Sequence, residues 1–172
     1  NLKTDKAIQY THNPDNPNSI SNNTIWAIKE DKKSNLWIGT DLGLNKFNQK
    51  TGKFTVYYSN PQDRTACNYR YIFEDTDGTL WLGSWGEGLN HFNPYTSTFK
   101  IYKNNPANPQ SLTDNIVRCI TSGKDESLWI GTENGLNHFS KKDEKFSVFR
   151  NDKNNKRSLS ANMVISLLTA QN

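Results

Sequence analysis

Apolar residues in this chain come in short runs separated by clusters of Asn, Asp, Gly, Ser and Pro. From Ile25 to Tyr58 the runs are Ile25–Glu30, Asn35–Thr40, Gly43–Phe47 and Phe54–Tyr58. Short runs of this kind, rich in β-branched and aromatic residues and bounded by turn formers, read as β-strands. The breaks carry turn chemistry. The first is Asp/Gly/Asn/Ser-rich ("EDKKSN", "EDTDGT", "GKDES"), the second is centred on Gly43, Gly88 or Gly135, and the third resembles "NQKTGK". The fourth is Asn-Pro-rich ("NPDNPNS", "NPQD", "NPANPQS"), where Pro cannot donate to a ladder and forces an exit from the sheet. No stretch keeps a 3.6-residue apolar period beyond two turns, so helix content is predicted close to nil.

The four-run pattern recurs. "NLWIGTDLGLNKF" (Asn35–Phe47) returns as "LWLGSWGEGLNHF" (Leu80–Phe92) and "LWIGTENGLNHF" (Leu128–Phe139), with Trp37, Trp81 and Trp129 spaced 44 and 48 residues apart. "NLKTDKAIQY" at the start aligns with "NQKTGKFTVY" at Asn48–Tyr57, and "SLSANMVISLLTAQN" at the end aligns with the segment from Ser111. The chain therefore reads as a cut from a longer array. Residues 1–18 would supply the outer strand of a preceding blade plus a linker. Residues 19–62, 63–110 and 111–157 are whole units, and 158–172 the inner strand of a following one. Four antiparallel strands at such a period define a β-propeller blade. The expected fold is all-β, about 3.5 blades of a larger ring of roughly seven or eight.

This architecture explains the repeated phrase. A blade packs between two neighbours ~10 Å away, and one large ring per blade fills the wedge. Trp37, Trp81 and Trp129 are assigned that role, with Ile38, Leu82 and Ile130 on the opposite face by the period of two. Gly39, Gly83 and Gly131 are expected where a strand bends or a neighbouring backbone comes close. Gly43, Asn45 and Phe47, with Gly88, Asn90 and Phe92 and with Gly135, Asn137 and Phe139, complete the structural repeat.

Composition refines this picture. Only 33% of residues are hydrophobic, yet 12% are aromatic, and mean hydropathy is −0.86. A disordered chain would be poor in aromatics. No apolar run approaches the ~20 residues of a membrane helix and the N-terminus lacks a signal-peptide pattern. Net charge is +4, but basic residues are scattered among acidic ones, as in Lys141-Lys142-Asp143-Glu144-Lys145, so no nucleic-acid face is expected. Cys67 and Cys119 make neither a disulfide framework nor a zinc spacing. Cys119 is expected to be a packed thiol and Cys67 to be partly exposed.

"LWIGT" followed by "GLN", Lys or His, and Phe, with an aromatic strand after it, resembles the two-component regulator propeller repeat over essentially the whole chain. That resemblance implies the periplasmic sensor region of Bacteroides-type hybrid two-component systems. There the propellers precede a membrane span, a histidine kinase and a DNA-binding module, and detect oligosaccharides released from glycans. Any contact with the membrane, and any kinase activity, would then lie in segments this chain does not contain. Expected partners are the remaining blades of the parent ring, a second copy of the fragment, and a glycan-derived oligosaccharide.

Four residues are candidates for ligand contact. Trp85 sits in a second loop one residue longer than its counterparts, and a rim Trp can stack on a sugar ring; the competing reading is that it covers a neighbouring blade or a partner surface. Arg70 and Arg118 share the inner-strand slot that Trp26 and Ile165 hold elsewhere. They could meet a carboxylated or sulfated sugar, although a structural ion pair with a nearby Asp or Glu is favoured. Lys46, His91 and His138 share one slot, but blade spacing keeps the two imidazoles too far apart to chelate one zinc ion. They read as structural polar residues, and no cofactor or metal is implied. Asp75-Thr76-Asp77-Gly78-Thr79-Leu80-Trp81 resembles the Asp-box hairpin of sialidases, a scaffold motif. Glu30, Asp31, Glu74, Asp75, Asp125 and Glu126 fall at repeated strand ends and read as solvated turns rather than a hydrolytic carboxylate pair. The alternatives to a non-catalytic ligand sensor are an architectural segment that pairs with another propeller or a second subunit and, behind it, a propeller lyase.

Overall fold

The computed structural model describes residues 7–169. Their strands form three four-stranded antiparallel sheets, each strand pairing with its successor. Sheet I comprises β1 (Ile25–Glu30), β2 (Leu36–Thr40), β3 (Gly43–Asn48) and β4 (Lys53–Tyr57). Sheet II comprises β5 (Tyr69–Glu74), β6 (Leu80–Ser84), β7 (Leu89–Asn93) and β8 (Thr98–Tyr102). Sheet III comprises β9 (Val117–Ser122), β10 (Ser127–Thr132), β11 (Gly135–Ser140) and β12 (Lys145–Phe149). Among the described residues there is no α-helix, only a 3-10 turn at Arg64–Ala66, opened by the Asp63 carboxylate, which accepts the Thr65 N–H at 3.2 Å. The fold is the all-β stack of blades that the repeat implies. The first strands of successive sheets meet, β1 against β5 and β5 against β9, so the sheets converge along those strands.

The indoles fill the gaps between sheets. Trp37 points from sheet I into a cluster with Tyr69, Ile72, Leu80, Leu82 and Phe92 of sheet II. Trp81 makes the equivalent cluster with Val117, Ile120, Leu128, Ile130 and Phe139 of sheet III. Both are 1% exposed. Each meets the next blade's Phe edge-on, Trp37–Phe92 at 5.7 Å and Trp81–Phe139 at 5.5 Å. Burying a ring of that size contributes ~4–6 kcal/mol before entropy is subtracted. Each indole N–H is satisfied: Trp37 Nε1 donates to Asp31 Oδ2 and Trp81 Nε1 to Asp75 Oδ2, both at 2.8 Å. Asp31 and Asp75 are thus not solvated turn residues. Asp75 is 5% exposed and also accepts Lys141 Nζ at 2.9 Å.

Glycine stands where the sheets touch. A Cβ on Gly39 would lie 2.4 Å from the Tyr69 carbonyl oxygen, and one on Gly83 would lie 2.9 Å from that of Val117. Buried asparagines pin the incoming linker: Asn45 Nδ2 donates to Ser21 Oγ at 2.8 Å and Asn137 Nδ2 to Thr113 Oγ1 at 2.7 Å. In sheet II, Asn90 instead accepts the Tyr69 hydroxyl at 3.4 Å.

Three further expectations change. Trp129 is only half-buried, because it faces the side of sheet III that no complete sheet covers. There a cleft of about 440 Å³ opens between Trp129, Leu136 and Leu168. Residues 158–169, expected to begin an inner strand, run beside sheet III without strand pairing. They are held by Val164 N–H to Thr132 O at 3.0 Å and Thr169 Oγ1 to Ser122 O at 3.1 Å. A lone strand lacks a sheet of its own to complete its ladder. Cys67, expected to be partly exposed, is fully buried in the Trp37 cluster. Residues 1–6 and 170–172, which belong to the expected outer strand and inner strand of flanking blades, lie outside the described residues.

Candidate functional site

The four candidate residues converge at one end of the first strands, and a backbone irregularity puts three of them there. The β1–β2 register pairs Ile25 with Thr40 and Ala27 with Gly39, skipping Trp26. The β5–β6 register skips Arg70 between Tyr69 and Tyr71, and β9–β10 skips Arg118 between Val117 and Cys119. Each is the extra residue of a β-bulge, a device that re-aims one side chain without disturbing the rest of the ladder.

The partner of each bulge residue comes from the β2–β3, β6–β7 or β10–β11 loop of its own sheet, where Asp41, Trp85 and Glu133 occupy equivalent positions. In sheet I, Trp26 Nε1 donates to Asp41 Oδ1 at 2.7 Å. In sheet III, Arg118 Nε donates to Glu133 Oε1 at 2.6 Å, and its Nη2 reaches the same oxygen. In sheet II the loop offers no carboxylate at that position. The Arg70 guanidinium instead lies 3.8 Å over the Trp85 ring. Its other neighbour is the Trp26 ring, 3.9 Å away. Arg70 Nε donates to Asn68 Oδ1 at 3.2 Å, and Asn68 Nδ2 donates to Asp41 Oδ1 at 2.8 Å, so sheets I and II are joined here by one polar chain. Arg118 lies 5.2 Å from the Trp85 ring.

The Trp85 loop is firmly held. Trp85 N–H donates to Asn68 O at 3.0 Å, and the N–H groups of Gly86 and Gly88 both donate to Asn115 O. Gly86 (φ +118°) and Gly88 (φ +76°) supply the left-handed turn that accommodates the extra residue. Trp85 and Trp26 remain 39% and 45% exposed, and both arginines are half-buried. The ion pair favoured for the arginines exists at Arg118 and not at Arg70. Ile165, fourth in the series, is 65% exposed.

Sequence reading missed Asp41, Asn68 and Glu133. The first and last were detectable, since they share the loop slot that Trp85 fills. The remaining candidates are scaffold in geometry. His91 stacks on Trp81 at 4.0 Å and bonds Thr79 Oγ1 at 2.8 Å; His138 bonds Ser127 Oγ at 2.8 Å; Lys46 lies 5.4 Å over Trp37. Among the described residues no three His, Cys, Asp or Glu gather in a metal-binding group. Burial pushes the Cys119 thiol up to about 11, which leaves it a poor nucleophile at neutral pH. A crevice of about 220 Å³ between sheets I and II, lined by Asp31, Lys33, Trp37 and Tyr95, lies at the opposite end of the strands.

The family described as two component regulator propeller matches residues 19–41, 64–86 and 111–134, one segment for each sheet. The crystal structure of the extracellular domain of a hybrid two component system from B. thetaiotaomicron superposes with a TM-score of 0.72 at 29% identity, over 86% of this chain and 21% of that one. The extracellular domain of a second such system from the same organism superposes equally well (TM-score 0.72, 86% of this chain, 19% of that one), and its 24% identity carries the fold alone. A 49-residue stretch is 41% identical to Histidine kinase P4 of Formosa agariphila, covering 28% of this chain and 3% of that protein. The chain thus spans about a fifth of the solved relatives and far less of the kinase.

Proposed function

We propose that this chain, an array of two-component regulator propeller repeats, is a ligand-sensing segment in the extracytoplasmic, periplasmic part of a hybrid two-component regulator. It is non-catalytic by itself and takes a glycan-derived oligosaccharide at the rim built by Trp26, Arg70, Trp85 and Arg118. The observation that carries this reading is the convergence of three bulged side chains and one inserted Trp at the end where the sheets meet. Exposed indoles offer apolar faces to sugar rings, and arginines offer donors to their oxygens. The likeness to extracellular domains of hybrid two component systems supports the compartment, and the short kinase match supports signalling through a kinase outside these residues. A sensor works by differential affinity for two arrangements of its domains, so binding is the first property to measure. Titration with a panel of neutral and acidic oligosaccharides should raise the thermal midpoint for at least one member, and Trp85→Ala should remove that shift. A panel without any shift would reject the reading.

A second reading, an architectural segment whose end faces dock onto other blades or a second copy, is favoured by the half-exposed Trp129 at one end and by Ile25 and Ile28, 45% and 63% exposed, at the other. It predicts association that is insensitive to Trp85→Ala.

A further inference from the structure

We infer that Arg70 is an anion hook for a planar carboxylate on the ligand, and that it, rather than Trp85, selects what the rim accepts. The inference rests on the sensing reading above and names the chemistry of the same site.

The molecule supplies its own comparison. Arg118 and Arg70 are the bulge residues of equivalent strands. Arg118 is neutralised by Glu133 from the loop of its own sheet. The residue equivalent to Glu133 beside Arg70 is Trp85, so Arg70 has the same position and aim without the carboxylate. Its Nε is taken by Asn68, a neutral acceptor, and Asp41 is reached only through that Asn68 side chain. A half-buried guanidinium facing a neutral acceptor leaves its terminal N–H groups to the solvent or to a ligand.

The stacking decides how a ligand can approach. Trp26 and Trp85 cover the guanidinium, their ring centroids 3.9 and 3.8 Å from its Cζ, well within cation–π reach. Nothing can stack on those covered surfaces, and the faces that Trp26 and Trp85 turn to Arg70 are closed to a sugar. Approach to Arg70 is confined to the plane of its fork. A carboxylate is planar and fits that edge with two parallel hydrogen bonds, as Arg–carboxylate pairs do. A sulfate is tetrahedral and carries oxygens out of the plane toward the indoles. The ligand class is therefore a uronic-acid-type sugar or another carboxylated molecule, bound through one acidic group, because Arg118 already holds its own.

The test uses the whole chain with D-glucuronate, methyl glucoside and glucose 6-sulfate as probes, read by tryptophan fluorescence and by two-dimensional NMR of the arginine Nε–H signals. Glucuronate should bind saturably and shift the Arg70 signal. Methyl glucoside should bind at least about tenfold more weakly, the difference expected for charge-assisted hydrogen bonds, and glucose 6-sulfate should bind more weakly than glucuronate because its out-of-plane oxygens meet the indoles. Arg70→Lys, which keeps charge but loses the fork, should weaken glucuronate by a similar factor. Trp85→Glu, which restores the internal carboxylate found in sheet III, should abolish binding, while Trp85→Phe keeps the stack and the binding. Equal affinity for all three probes, or wild-type glucuronate binding in a folded Arg70→Gln variant, overturns the inference. Binding of neutral oligosaccharide that depends on Trp85 and not on Arg70 would sink the anion hook and leave the sensing reading standing. Absence of saturable binding by any sugar, neutral or acidic, would remove both.

Discussion

At the scale of single residues, environment and not identity decides what each repeated side chain does. Trp37 and Trp81 are sealed between sheets, whereas Trp129 has a complete sheet on one side only. Trp37→Ala and Trp81→Ala should each cost about 3–5 kcal/mol by denaturant unfolding, and Trp129→Ala clearly less. The same contrast governs the carboxylates. Burial pushes the Asp75 carboxyl up, but hydrogen bonds from Lys141 and Trp81 outweigh it and hold the group below the usual carboxylate range. A lowered carboxyl stabilises the fold above its ordinary value of about 3.9, and the gain is lost as pH falls through the lowered one. Lys141→Met strands that charge and should cost about 2–4 kcal/mol at pH 7. His91 shows the opposite chemistry with the same pH sign. Burial on Trp81 pushes its imidazole down against the pull of Asp77 and Asp75. The neutral ring is favoured, so stability erodes as pH falls below about 6.5. The thermal midpoint should decline between pH 7 and pH 5, and His91→Gln should flatten that decline.

Among the elements, the blades were legible because three copies in register average out local ambiguity. The period-two runs and the Gly-Leu-Asn turns place every strand to within about a residue. What stayed hidden depends on offsets between strands. A bulge is a one-residue slip of one strand against its partner, and neither strand's sequence records it alone. Hence Trp26, Arg70 and Arg118 could be aligned as one slot, while their common aim could not be read. Asp75 and Lys141 are 66 residues apart and meet only across a blade interface. The burial of Cys67 has the same origin, since it depends on sheet I lying over it. The Trp85 loop gives a test at this level. Gly88 has φ +76°, and a Cβ there would lie 2.3 Å from the Tyr102 carbonyl oxygen, while Gly86 has φ +118° and nothing within 4 Å. Gly86→Ala should cost about 1–2 kcal/mol of backbone strain. Gly88→Ala adds a collision and should cost visibly more, with loss of the Trp85 fluorescence environment as a second readout.

For the molecule as a whole, the two end faces matter most. Inside the chain, a Trp-bearing face always meets a face carrying Leu or Ile from the next sheet. Sheet III presents the first kind of face and sheet I the second, so two copies docked end to end would bring matching faces together. Light scattering at roughly tens of micromolar should show association above the monomer mass, weakened by Trp129→Glu and by Ile28→Glu. A stable monomer at that concentration would contradict this expectation. The bulges also bear on what the fold can tolerate. Because a bulged residue stands outside the ladder, its exchange leaves strand pairing intact and costs only the contacts of its own side chain. A row of such positions at one end of three sheets gathers the side chains that can vary while the scaffold beneath them stays the same.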